Sequence, residues 1–140
     1  MTDSGKKIVT LESLIPNVGN AQKAGQQVVF TNGCFDILHV GHVRYLTAAR
    51  NAGDLLVVGL NSDRSVRSIK GTKRPIINQD QRAEVLASLG VVDFVVLFDE
   101  PDPLVLIESL NPSVLVKGED WTEDRIIGAG HVKSRGGQVL

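Results

Sequence analysis

Four stretches of the chain are apolar almost without interruption: residues 27–31, Leu55 to Leu60, Val91 to Phe98, and Ser113 to Val116. Runs of this kind mark strands covered on both faces, as in a parallel sheet. Between them the spacing changes to a helical one. Leu11, Leu14, Ile15, Val18 and Ala21 share a helical face behind a capping Thr10, although Pro16 and Gly19 interrupt the pattern. Val43, Leu46, Thr47 and Arg50 do the same from about Gly41 to Asn51, and Asn61-Ser62-Asp63 caps a short helical stretch through Val66. Asn78 or Asp80 starts a helix with Ala83, Val85, Leu86 and Leu89 as candidate buried positions. Leu104, Ile107 and Leu110 form another face, which Asn111-Pro112 stops. Short helical pieces are expected at 122–127 and 129–135, and residues 136–140 look like the beginning of a fifth strand. Residues 1–7 are a flexible lead.

Strands alternate with helices along the whole chain. That order predicts right-handed βαβ crossovers and one domain over residues 1–140. The expected fold is α/β, a Rossmann-like three-layer α/β/α arrangement with a five-stranded parallel sheet whose last strand lies at the C-terminus. Ligands of such sheets sit at the strand C-termini, near the point where the strand order reverses. Three loops follow strands and should converge there: 31–42, 61–78 and 117–121.

Composition narrows the partners. A net charge of −1 gives no reason to expect nucleic acid or a membrane surface, and aromatics at 4% argue against a base-stacking platform. The single cysteine forms no internal disulfide, which fits a reducing cytoplasm. No apolar run reaches membrane-spanning length, and the polar start lacks a signal-peptide core.

The candidate chemistry concentrates in Thr31-Asn32-Gly33-Cys34-Phe35-Asp36-Ile37-Leu38-His39-Val40-Gly41-His42, a polar loop between a strand and a helix start. Helix N-termini carry unpaired N–H groups and favour phosphate. Gly41 permits close backbone approach, and His39 and His42 can donate hydrogen bonds to phosphate oxygens as charge grows in a transition state. A His–Cys metal site and a nucleophilic Cys34 are competing readings; no H-E-x-x-H or paired-cysteine spacing supports a metal. Two histidines without a role are the bland one. Arg64, Arg67, Lys70, Lys73 and Arg74 form a basic group that could neutralise phosphate or lie solvated at the surface; Lys70, followed by Gly71, is the first choice. Asp36 orients a histidine or a backbone turn. Glu119 and Asp120 could bind a ribose hydroxyl or a metal, or cap a helix.

The segment Gly33-Cys34-Phe35-Asp36 followed by His39-Val40-Gly41-His42 resembles the HxGH nucleotidyltransferase superfamily. The match extends through Asn61-Ser62-Asp63-Arg64, Lys70-Gly71, Arg74-Pro75-Ile76, Gln81-Arg82 and Lys117-Gly118-Glu119-Asp120-Trp121. Within that superfamily these stretches look like the D-glycero-β-D-manno-heptose 1-phosphate adenylyltransferase branch. The resemblance covers about residues 8–140. It implies that ATP, with Mg2+, and the sugar 1-phosphate give ADP-heptose and pyrophosphate for lipopolysaccharide precursors. It implies catalytic roles for His39, His42 and Lys70. Nucleotide binding would fall to Thr31, Asn32, Gly33, Cys34, Phe35, Gly41, Gly118 and Asp120, and substrate binding to Asp36, Asn61, Asp63 and Arg74. No resident metal site is expected, and relatives imply a homodimer. The superfamily's late C-terminal helix and the kinase half fused in many relatives have no counterpart in these 140 residues. A cytidylyltransferase acting on glycerol 3-phosphate or another small phosphate keeps the same loop order. A nucleotide-binding protein without turnover and a metal-dependent hydrolase are the further alternatives.

Overall fold

A computed structural model of the chain describes residues 4–117 and 127–140. Six strands form one parallel sheet: β1 (Ile8–Val9), β2 (Val28–Gly33), β3 (Leu55–Asn61), β4 (Phe94–Phe98), β5 (Val114–Leu115) and β6 (Gln138–Val139). Their order across the sheet is β1-β4-β3-β2-β5-β6. Helices alternate with them: α1 (Leu11–Lys23), α2 (Val40–Asn51), α3 (Asp63–Lys70), α4 (Gln79–Ala87), α5 (Leu104–Leu110) and α6 (Ala129–Ser134).

The sheet has one strand more than the five expected. The addition is the two-residue β1, which pairs with β4 through Ile8 opposite Val95 and Val9 opposite Val96. Two apolar residues between Lys7 and Thr10 carry no period, so only the open edge of β4 reveals this strand. Ahead of it, Ser4–Lys7 form a 3-10 turn, and Lys7 Nζ donates to the Leu89 carbonyl at 3.1 Å.

Alternation along the central strands builds two cores. Val28, Phe30, Val57 and Val96 pack against α1, α5 and α6 through Leu14, Val18, Leu106, Ile107, Leu110 and Val132. Val29, Leu56, Val58, Leu60 and Val95 face the other way, onto Leu46 and Ala49 of α2 and Ala83, Leu86 and Ala87 of α4. The result is the expected three layers. Capping follows the sequence closely. Thr10, Ser62 and Asn78 accept from the backbone N–H groups of Ser13, Ser65 and Gln81, each satisfying one orphan donor of its helix.

The connections run β2-α2-β3 and β3-α3-α4-β4 to one side of β2. The chain then returns through α5 to place β5 on the other side. The order therefore reverses between β2 and β5, and the crevice at their C-terminal ends is the expected ligand position.

Candidate active site

At that crevice β2 ends in Asn32-Gly33 and β5 leads into Lys117. Lys117 Nζ donates to Asn32 Oδ1 at 3.3 Å, across the switch point. Two neighbouring clefts open here. One, about 480 Å³, is lined by Asn32 to Ile37, His39, His42, Tyr45, Lys70, Arg74 and Lys117. The other, about 450 Å³, adds Asn61, Ile69, Pro101 to Pro103 and Ile127. Asn32, Gly33, Cys34, Lys70 and Lys117 belong to both.

The loop between β2 and α2 is a tight reversal. Phe35 adopts φ 46°, the left-handed region that bulky residues avoid, and its ring folds back over Gly33. A Cβ on Gly33 would lie 2.9 Å from that ring. The ring also meets His42 edge-on, centroids 5.4 Å apart. Local strain at a ligand loop is a recurrent feature of functional sites.

His39 is the N-cap of α2, and the two histidines cap the helix reciprocally. His39 Nδ1 accepts from the Gly41 N–H at 3.0 Å, and His42 Nδ1 accepts from the His39 N–H at 3.2 Å. Their rings lie 4.1 Å apart. An accepting Nδ1 carries no proton, so each neutral ring holds its proton on Nε2. Neither Nε2 meets a partner among the described residues. Burial, reinforced by the adjacent His39 ring, holds the His42 imidazole below its ordinary value. His42 is therefore neutral near pH 7 and still offers an N–H to the cleft. Gly41 is required by this cap, since a Cβ there would stand 2.7 Å from the His39 ring.

Asp36 is buried, and its carboxylate is committed to the protein. It accepts from Arg74 Nη1 at 2.9 Å, from the Ile76 N–H at 2.9 and 3.0 Å, and from the Ile77 N–H at 2.9 Å. Burial pushes this carboxyl up. The Ile77 and Ile76 N–H groups and the Arg74 guanidinium outweigh that push and hold it at about 2. Asp36 thus pins the basic loop after α3 against the histidine loop, and Arg74 is its counter-ion. Both line the cleft as expected, but the contacts they make are to each other. Lys70, the last residue of α3, is exposed at the lip of both clefts, where Gly71 ends the helix at φ 96°.

Two residues expected at the nucleotide or the sugar phosphate line neither cleft. Thr31 is fully buried on the α2 side of the sheet and lines neither cleft; its hydroxyl is bonded to the Tyr45 hydroxyl, which donates onward to the Val116 carbonyl at 3.2 Å. Burial raises the Tyr45 phenol, and the Thr31 hydrogen bond opposes it. Asp63 also lies outside both clefts, because its carboxylate pairs with Arg82 Nη2 at 2.8 Å. Asn61 does line a cleft, but its amide donates to Ser65 Oγ at 3.0 Å. Gly118 and Asp120, with Glu119 and Trp121, lie outside the described residues.

Arg82 carries no role in the sequence reading, yet its side chain joins the loops that follow β2, β3 and α3. It is 2% exposed. Its Nε donates to the Ile77 carbonyl, Nη1 to the carbonyls of Cys34 and Asn61, and Nη2 to Asp63. The signal was an arginine at a position where helical spacing puts a buried residue, between Asn78 and Leu86. Lys117, too, is only a loop residue by sequence. It is more than half buried, and burial lowers its ammonium while the nearby Cys34 thiol opposes that shift.

Among the described residues no group of three His, Cys, Asp or Glu side chains could hold a metal. No described helix is long and apolar enough to cross a membrane.

The profile of the cytidylyltransferase-like family matches residues 30–133, a span that includes the histidine loop, Arg82 and Lys117. The chain belongs to the cytidylyltransferase-like family. Among similar proteins, the bifunctional protein HldE of Geotalea uraniireducens is 58% identical over 137 residues, 98% of this chain and 28% of that protein. HldE of Methylobacillus flagellatus is 55% identical over 133 residues, 95% of this chain and 27% of its own length. The chain thus spans little more than a quarter of these curated relatives. A lipopolysaccharide core biosynthesis protein from Thermoplasma volcanium superposes with a TM-score of 0.69 at 29% identity, over 81% of this chain and 94% of that one. A pantoate–β-alanine ligase from Francisella tularensis, solved with a β,γ-ATP compound and β-alanine, shares the fold alone. Its TM-score is 0.64 at 17% identity, over 95% of this chain and 65% of that one. The cytidylyltransferase-like fold thus recurs in proteins with different names, and the site residues decide the chemistry.

Proposed function

We propose that this domain transfers an adenylyl group from ATP to D-glycero-β-D-manno-heptose 1-phosphate, giving ADP-heptose and pyrophosphate for lipopolysaccharide precursor synthesis in the cytoplasm. The observation that carries the reading is the pair of histidines locked by their own helix N-terminus, with both Nε2–H groups left for a ligand. An oxygen of the sugar phosphate attacks the α-phosphorus of ATP in line. A new P–O bond forms, the α–β anhydride bond breaks, and pyrophosphate leaves with the electron pair. The nucleophile is already an anion, so no general base is needed. Charge on the crowded phosphorus centre is met by His39 and His42 through Nε2–H and by the ammonium of Lys70. The peptide N–H groups at the start of α2 add the helix-end field. Asn32, Gly33, Cys34, Phe35 and Gly41 border the nucleotide, and Asn61 faces the second cleft. No covalent intermediate arises; catalysis is positioning and electrostatics.

Magnesium belongs to the substrate in this scheme. The described carboxylates of the two clefts are Asp36, saturated by hydrogen bonds, and Asp102, whose Oδ1 accepts from the Leu104 N–H. A dedicated protein cage is therefore not what these residues fit, and the ion would arrive as MgATP on phosphate oxygens. Pairing of two domains into a homodimer belongs to the same reading.

HldE relatives at more than half identity and the Thermoplasma neighbour support the sugar-nucleotide branch. The family's description supports a second reading, cytidylyl transfer, for which glycerol 3-phosphate is a small phosphate acceptor to test. Pyrophosphate release, measured with ATP or CTP against heptose 1-phosphate or glycerol 3-phosphate, separates them. Release with ATP and heptose 1-phosphate is expected; release only with CTP would overturn the adenylyl assignment.

A further inference from the structure

The two clefts share part of their lining, and the shared part holds two cations, Lys70 and Lys117. They differ in setting. Lys70 is an exposed side chain at the end of a helix. Lys117 lies two residues past the end of β5, is more than half buried, and is tethered by Asn32 Oδ1 at 3.3 Å. Its own peptide N–H is fixed as well, donating to the Leu140 carbonyl at 3.2 Å. Asn32 is itself held in register, opposite Gly59 of β3. The ammonium is thus placed by two central strands of the sheet.

A transfer between two phosphates must bring both to one point, and with two clefts that point is where their linings meet. We infer that Lys117 is a catalytic residue whose ammonium lies beside the reacting centre, within reach of non-reacting oxygens of both the α-phosphate and the attacking sugar phosphate, offsetting the repulsion between them. This rests on the nucleotidyl-transfer reading above. The balance of the step is unchanged. The sugar phosphate oxygen forms its bond to the α-phosphorus, the bridging oxygen departs with pyrophosphate, and Lys117 neither gives nor takes a proton. Its charge acts in a partly water-excluded site, where a fixed cation is worth more than at the surface. Each substrate alone meets the ammonium once; on the way to the transition state the two anions close on each other around the same cation, where their repulsion is greatest. The interaction therefore grows on the way to the transition state, and its loss falls on kcat rather than on either KM.

The test uses Lys117→Met, which keeps the side-chain bulk, and Lys117→Arg, which keeps the charge. Steady-state pyrophosphate release is followed with ATP and heptose 1-phosphate varied in turn, together with the melting temperature of each variant. For Lys117→Met the expected result is a fall in kcat of about 10²-fold. Both KM values should stay within about threefold, and melting should be close to the parent. Lys117→Arg should regain at least about tenfold of the lost turnover. An unchanged kcat in Lys117→Met overturns the assignment, as does a rise in one KM at constant kcat. So does equal loss in both variants with lowered melting, which marks a structural lysine. A parent protein silent on this substrate pair but active on another overturns the heptose reading instead. Lys117 is then judged by the same kcat criterion on the active pair. Silence on every pair overturns both.

Discussion

The two edges of the sheet carry cavities of opposite character. The larger, about 720 Å³, opens where the strands begin. Its lining includes Ala52, Asn111 and Arg135, the C-caps of α2, α5 and α6, and Gln22 from the last turn of α1. Four helices therefore end there, with carbonyl groups and partial negative charge outward. The smaller clefts lie where the strands end. Their walls include His39, Asn61 and Pro103, at or next to the starts of α2, α3 and α5. Volume alone would choose the wrong edge for an anion. Helix direction, which a parallel sheet imposes on every crossover, chooses the other. On the chosen edge the polar groups divide again, into those spent on the protein (Asp36, Arg82) and those left for a ligand (His39, His42).

The largest effect that would sharpen this contrast concerns Arg82. Replacing it with Met leaves the carbonyls of Cys34, Asn61 and Ile77 without their donor and Asp63 without its counter-ion. A loss of about 3–5 kcal/mol in unfolding free energy is expected, because a buried charge network is broken on one side only. Denaturant unfolding measures it. A loss under about 1 kcal/mol would mean that the three loops hold their places without this side chain.

His42→Ala should act on the reaction more than on the fold. Removing one preorganised donor costs about 10²- to 10³-fold in kcat. The structural loss is one capping bond to the His39 N–H, about 1 kcal/mol. Equal kcat values for parent and variant would return the histidine pair to a capping role only. The cap also has a pH signature. Because the folded imidazole of His42 sits below its ordinary value of 6.5, the unfolded chain binds the extra proton first. Stability from this group is present above pH 6.5 and is lost as pH falls through its lower folded value. Protonation also ends the acceptor role of Nδ1, so the His42 imidazole resonances and the His39 amide that donates to it should shift together in an NMR titration.

Asp36 comes next. Its folded value of about 2 lies below the ordinary 3.8, so its contribution is full above pH 3.8 and disappears as pH falls towards 2. A difference of this size corresponds to about 2 kcal/mol. Asp36→Asn should lower unfolding free energy by about that amount at pH 7 and flatten the pH dependence between 4 and 2. A variant that keeps the acid limb of the parent would show that other carboxylates control it.

These predictions depend on features of unequal legibility in the sequence. Strands β2, β3 and β4 announce themselves as apolar runs, and the caps at Thr10, Ser62 and Asn78 as polar residues before helical spacing. The histidine loop was legible because strand, glycine and helix start stand in order. What could not be read was partnership across the chain. Asp36 and Ile77 are 41 positions apart, Cys34 and Arg82 are 48, and Asn32 and Lys117 are 85. Nothing local distinguishes a carboxylate that holds a loop from one that meets a substrate. Thr31 shows the same limit: the period of two puts it on the α2 face of β2, but only packing supplies Tyr45 as its partner. The six-strand sheet was missed for a related reason, since β1 is defined by the edge of β4 and not by its own two residues.

The smallest effect is the one that tests the opening contrast most directly. Arg135 is an exposed cation at the C-cap of α6, in the larger cavity. If helix direction decides where phosphate binds, this arginine complements helix carbonyls and takes no part in nucleotide binding. Arg135→Ala should then cost no more than about 0.5 kcal/mol of stability, the scale of an exposed charge at a helix end. Its kcat and KM should match the parent, and ATP should raise its melting temperature by the same amount, since protection depends only on affinity at a fixed ligand concentration. A reduced ATP-induced shift in this variant, with His42→Ala still protected by ATP, would place the nucleotide at the wrong edge of the sheet. A single exposed arginine would then have outweighed the carbonyl ends of the four helices around it.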